Sequence, residues 1–87
     1  MNWTLTEIIE KEVREPEYFS SKEDAFEAMC ARVSELTGTP AEEIAEECNS
    51  QIIWTVDIAN AWAVVGRSFA WIKGETQYDW DIREVVE

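Results

Sequence analysis

The chain has 87 residues, 46 % of them hydrophobic, and carries 19 Asp and Glu against 7 Lys and Arg with no histidine, a net charge of −12. That length allows one domain, and that hydrophobic content lies outside the disordered range. The negative excess repels bare nucleic acid and anionic membranes, which excludes both as direct ligands and makes any charged partner a basic one.

Thr4-Leu5-Thr6-Glu7 has the form of a capping box: the Thr4 hydroxyl accepts from the Glu7 backbone and Glu7 reaches back. Trp3 and Ile8 occupy the staple positions. Leu5, Ile8, Ile9 and Val13 share one helical face, so a first helix is expected over residues 4–15. Pro16 ends it, because the residue before a proline is pushed out of the helical region. Glu17-Tyr18-Phe19 is a connector whose rings pack on the core.

Ser20 or Ser21 caps a second helix, expected over 21–37, with Phe26, Met29, Cys30, Val33 and Leu36 as its apolar stripe and Gly38 as its left-handed stop. Thr39 as cap, Pro40 at the first position and Glu42 as box partner start a short third helix over 40–48, ended by Asn49-Ser50.

From residue 51 the pattern changes to period 2. Ile52, Trp54, Val56 and Ile58 alternate with Ile53, Thr55 and Asp57, which predicts a strand over 51–58. Ala59-Asn60 offers a turn. Further strands are expected over 61–66, 69–73 and 78–85, separated by Gly66-Arg67-Ser68 and Lys73-Gly74. In the last of them Tyr78, Trp80 and Ile82 share one face and Asp79, Asp81 and Arg83 the other. Ala59, Ala61 and Ala63 would also suit a helix, and periodicity does not decide between the two. No linker divides the chain. The expected fold is α+β, a single domain 1–87 with two or three N-terminal helices on one face of a three- to four-stranded antiparallel sheet.

The charge is uneven. Residues 1–50 hold 13 acids and 4 bases, and residues 51–87 hold 6 acids and 3 bases. On a wheel of about 100° per residue, Glu42, Glu43, Glu46 and Glu47 fall within an arc of roughly 140°, opposite Ala41, Ile44, Ala45 and Cys48. Those four carboxylates occupy about 7.5 Å of helix axis. That is one charge per roughly 2 Å, against about 1.7 Å for duplex DNA. Like charges four apart destabilise a helix slightly. Such a row is more often only a solvated face, and Glu42 and Glu43 also suit a helix N-terminus.

Averaged over the molecule the charge is thin. A chain of this mass exposes about 5,300 Å², or one net charge per roughly 440 Å². Duplex DNA carries one per roughly 100 Å². Mimicry of DNA therefore needs the acids gathered on one side, with Glu7, Glu10, Glu12, Glu15 and Glu17 as candidate additions to the third helix.

Asp79 and Asp81, about 7 Å apart on one strand face and joined by Asp57, have the spacing of a hydrolase pair. With no histidine and no glycine-rich loop, the wet face of an edge strand is the stronger reading. Cys30 and Cys48 lack zinc-site spacing and read as buried thiols. The residues supply no catalytic motif, metal site or cofactor site, so a non-enzymatic protein is expected. Trp54, Trp62, Trp71 and Trp80 read as core, and any that is exposed would anchor a partner. Met1-Asn2-Trp3-Thr4 lacks the features of a signal peptide, and no run approaches the roughly 20 apolar residues of a membrane span. A cytoplasmic location is expected.

The runs Ala61-Trp62-Ala63-Val64-Val65, Phe69-Ala70-Trp71-Ile72-Lys73-Gly74 and Tyr78-Asp79-Trp80-Asp81-Ile82 resemble the C-terminal ends of small phage and mobile-element proteins. Phe19-Ser20-Ser21-Lys22-Glu23-Asp24-Ala25 has the same character. The resemblance covers about half the chain. In size and charge the chain is similar to phage anti-defence inhibitors of the anti-CRISPR type. That similarity implies a bacterial host's cytoplasm and a partner that is a basic nucleic-acid-binding protein, such as an RNA-guided nuclease. The contact residues would be Glu42, Glu43, Glu46 and Glu47, with Glu10, Glu17, Asp79 and Asp81 as secondary candidates. The competing expectation is an interaction module or homodimer joined through a tryptophan-rich sheet surface.

Overall fold

The computed structural model describes residues 2–50, 54–58, 61–74 and 76–85. The chain forms strands β1 (Asn2–Ile9), β2 (Glu12–Val13) and β3 (Glu17–Phe19), helices α1 (Lys22–Thr37) and α2 (Ala41–Ser50), then strands β4 (Trp54–Ile58), β5 (Ala61–Val65), β6 (Phe69–Lys73) and β7 (Tyr78–Val85). The strands make one antiparallel sheet in the order β2-β1-β7-β6-β5-β4, with β3 sharing the outer edge of β1 beside β2. Both helices lie on one face of it.

This corrects the expected fold. The helix read over 4–15 does not form, and the sheet is six positions wide rather than three or four. Residues 2–9 pair instead with residues 78–85 along eight consecutive positions, from Asn2 opposite Val85 to Ile9 opposite Tyr78. Trp3, Thr4, Thr6, Ile8 and Ile9 are aromatic or β-branched, types that fit a pleated surface better than a helix. Leu5, Ile8 and Ile9 match a helical stripe by their spacing. Alternation places Leu5 on the covered face and Ile8 on the other.

Glu10 and Lys11 connect β1 to β2, with φ of 51° and 70°. Two left-handed residues between antiparallel strands make a type I′ turn, whose twist matches that of the strands it joins. Past Val13 the register slips. Ile8 faces Val13, but Leu5 faces Glu17, so Thr6 and Glu7 stand opposite Arg14, Glu15 and Pro16. The extra residue is a β-bulge. Pro16 has no N–H to give, and an edge bulge tolerates that. What read as a helix stop is the break between two short edge strands.

The helices at 21–37 and 40–48 form nearly as read. The Ser21 hydroxyl accepts from the Asp24 backbone N–H at 3.1 Å, and Gly38, at φ 78°, donates to the Ser34 carbonyl at 2.8 Å. Ala25, Met29, Cys30 and Val33 are the buried face of α1, while Leu36 at the end of the expected stripe is exposed. The β4 hairpin partner is a strand, which settles the alanine-rich stretch in favour of the sheet. The turn at 59–60 and the start of the strand expected at 51–53 lie outside the described residues.

The core fills the space between the helices and one sheet face. Leu5, Ile82, Trp80, Ala70, Ile72, Ala63 and Val65 supply the sheet side, and Met29, Cys30, Val33 and Ile44 the helix side. Small Ala70 stands opposite the large Trp80 in the neighbouring strand. Tyr78 stacks on Trp80 at 5.8 Å.

Each non-glycine residue in a left-handed turn carries a strain of about 1 kcal/mol. Lys11→Gly is therefore expected to stabilise the protein by about 1 kcal/mol and raise Tm by about 4–8 °C, measured by circular dichroism. Glu10 should be left in place, because its carboxylate accepts from the Gln77 backbone N–H at 3.0 Å.

Candidate functional site

The eight sequence-predicted contact residues do not form one patch. They occupy three parts of the fold. Glu42, Glu43 and Glu46 are exposed on α2, whose buried Ile44 seats the helix against the core. Burial of Ile44 contributes about 2 kcal/mol to that anchoring. The side chain of Glu47 lies outside the described residues. α2 packs on α1 and β4, at one side of the sheet. Glu10 and Glu17 are at the opposite edge, in the β1–β2 turn and in β3. Asp79 and Asp81 lie on the sheet face that the helices leave open. There Asp79 accepts from the Gln77 side-chain amide at 3.2 Å and Asp81 is ion-paired with Arg83.

The helical layer holds the largest share of charge. Residues 22–50 carry eight acids against Lys22 and Arg32, a net −6, half of the −12 of the whole chain. α2 contains four of those acids and no base. The open sheet face is the opposite case. Alternation and register place Asp57, Lys73, Asp79, Asp81 and Arg83 on it, three acids against two bases, so it is much closer to neutral.

A second feature lies at the edge of the helical layer. Glu7, the expected box partner of Thr4, points between β7 and α1. Its Oε2 accepts from Trp80 Nε1 at 2.8 Å and from Arg32 Nε and Nη2 at 3.1 and 3.0 Å. Arg32 also donates to Glu35 at 3.0 Å. The Glu7 carboxylate, by its hydrogen bond above all, holds the Arg32 guanidinium above its ordinary range. A cleft of about 360 Å³ opens above this group, lined also by Arg14, Glu15 and Glu17 of the bulged edge. No direct sign of this cluster is legible in the residue order. Once residues 2–9 are a strand, alternation puts Glu7 on the same face as Leu5.

The tryptophans divide by parity. Trp80 is buried at 2 % exposure, whereas Trp62 and Trp71 belong to the open face, Trp62 being the more exposed. The Trp54 side chain lies outside the described residues. Cys30 is a buried thiol, and no group of acids and cysteines with metal-binding geometry occurs among the described residues. No helix among them is long and apolar enough to cross a membrane. Compared with family models, curated proteins and solved structures, the chain matches none.

Glu7→Leu leaves the buried indole N–H of Trp80 and the Arg32 charge without their acceptor, and is expected to cost about 2–3 kcal/mol in urea unfolding. Glu7→Gln keeps an acceptor for Trp80 and loses only a half-exposed ion pair, so it should cost about 1 kcal/mol or less. Equal losses for the two would show that the indole bond contributes nothing.

Proposed function

We propose that the chain is a non-enzymatic inhibitor that presents α2 to a Lys/Arg-lined nucleic-acid groove. The partner class is an RNA-guided nuclease, and the role is that of an anti-defence protein of the anti-CRISPR type, acting in a bacterial cytoplasm. One observation carries this reading: the outward side of α2 is lined by carboxylates with no base on the helix, while the open sheet face mixes acids with bases.

Magnitudes favour a local contact over mimicry by the whole body. The surface of 5762 Å² gives one net charge per about 480 Å², several times sparser than duplex DNA. The outward half of a ten-residue helix is about 15 Å long and about 16 Å around. Glu42, Glu43 and Glu46 alone then give one carboxylate per about 80 Å², comparable with duplex DNA at roughly 100 Å². α2 therefore imitates a few phosphates and not a length of duplex. Glu10, Glu17, Asp79 and Asp81 face elsewhere and do not add to this patch.

Competition against fluorescein-labelled duplex DNA for such a nuclease tests the reading. Affinity is expected to fall about tenfold or more between about 50 and about 200 mM salt. Reversing Glu42, Glu43, Glu46 and Glu47 to lysine should abolish competition, whereas the same change at Glu10 and Glu17 should leave most of it. Inhibition that survives the fourfold α2 reversal would remove that helix from the contact.

A second reading, an interaction module working through the sheet, is favoured by a separate observation: the uncovered aromatic groups on the open face.

A further inference from the structure

The two edges of the sheet are unlike. The edge formed by β2 and β3 carries a bulge, Pro16 and the charged residues Glu12, Arg14, Glu15 and Glu17. Bulges, proline and charge are the usual means of keeping a further strand off an edge. The edge formed by β4 has neither bulge nor proline. Trp54–Ile58 pairs with Ala61–Val65 at five consecutive positions, and its only charged residue is Asp57. No described strand lies beyond β4.

The direction of the main-chain groups on β4 follows from its neighbours. The Gly66 N–H donates to the Phe69 carbonyl at 2.8 Å, so Gly66 turns its main chain toward β6. That direction alternates along an antiparallel strand. Trp62 and Val64 therefore also turn toward β6, and Ala61, Ala63 and Val65 toward β4. Their partners across the hairpin are Ile58, Val56 and Trp54. The N–H and C=O groups of Thr55 and Asp57 are thus directed out of the sheet. They set a donor and an acceptor at each of two positions about 7 Å apart, the repeat of an antiparallel ladder.

We propose that the β4 edge takes up an extended, basic segment of a partner protein as a further strand of the sheet. Backbone chemistry decides that the segment is extended, because a strand offers donors and acceptors at that repeat. Charge decides that it is basic. A Lys or Arg opposite Asp57 makes a favourable cross-strand pair. α2, which holds four acids and no base, is the helix in contact with β4. A second copy added antiparallel, edge to edge, would bring two such helices onto the same side of one continuous sheet, and each copy has a net charge of −12. Like charge opposes that arrangement, and the same field draws in a base. The contact uses main-chain groups of β4 and stands whether or not α2 enters a nucleic-acid groove.

Fluorescence anisotropy of the full chain with a labelled peptide of about eight residues, alternating lysine with valine, tests it in about 100 mM salt. The peptide is expected to bind, and its counterpart with glutamate in place of lysine to bind about tenfold more weakly or worse. Two N-methylated versions, one blocked at the lysines and one at the valines, keep the charge and each block one edge of the peptide. One of them should lose about tenfold in affinity. On the protein, Thr55→Pro removes an outward donor and no bond to β5, so the urea midpoint should hold while affinity falls about tenfold. The N-methylated peptides test the same bonds without touching the fold. By NMR, bound peptide should slow exchange of the Thr55 and Asp57 amides about tenfold or more and leave those of Ala63 and Val65 unchanged. No binding, equal binding of the glutamate peptide, undiminished binding of both N-methylated peptides, or a complex that leaves both amides unprotected would overturn the proposal. Protection of those amides that rises with protein concentration alone would make a second copy the occupant and overturn it as well.

Discussion

Pairing of β1 with β7 is the constraint on which the molecule is built. Its eight positions hold the first and last strands together in the interior of the sheet. That register sets Leu5 opposite Ile82 and Glu7 opposite Trp80, and so fixes which residues face the helices. A shift of one residue would send Trp80 and Ile82 to solvent and bring Asp79 and Asp81 into the core. Burial of those carboxylates without partners would cost far more than a 87-residue fold can spare. The register is thus held as much by what must stay out as by what is packed in.

The same alternation gives the protein two unlike sides. On one, α1 and α2 cover the apolar residues and turn their acids to solvent. On the other, aromatic and aliphatic groups share the face with three acids and two bases. The edges differ as well. The β2–β3 edge is bulged, interrupted by Pro16 and flanked by Glu12, Arg14, Glu15 and Glu17, all of which discourage addition of another strand.

What could be read from the sequence was what local chemistry decides. Ser21 and Gly38 mark α1 because a cap and a left-handed stop act within four residues. The wheel of α2 separates Ile44 from Glu42, Glu43 and Glu46 without knowledge of the fold. The alternation of Tyr78, Trp80 and Ile82 shows their shared face directly. Residues 4–15 were not legible in the same way. Thr4 and Glu7 satisfy a capping box, and Leu5, Ile8 and Ile9 fit both periods. The deciding factor is a partner strand about seventy positions away, which no local window contains. Glu7 shows the same limit for a single side chain. Its acceptor oxygen serves the Thr4 backbone in a helix, or Trp80 and Arg32 in a sheet, and only the tertiary arrangement selects between them. The scattering of Glu10, Glu17, Asp79 and Asp81 away from α2 follows from strand order, which the residue types do not encode individually.

The β1–β7 ladder also sets a schedule for the newborn chain. Its paired residues are 69 to 83 positions apart. At a synthesis rate of about 5–20 residues per second, β1 leaves the ribosome roughly 4–14 s before its partner exists. Through that interval Trp3, Leu5 and Ile9 have only the β1–β3 hairpin to shelter them, and the helices have no completed floor to settle on. Such distant pairings carry a high loop-closure cost and slow the final step. The bulge, the proline and the acids around residues 10–17 therefore guard a nascent chain as well as a finished edge.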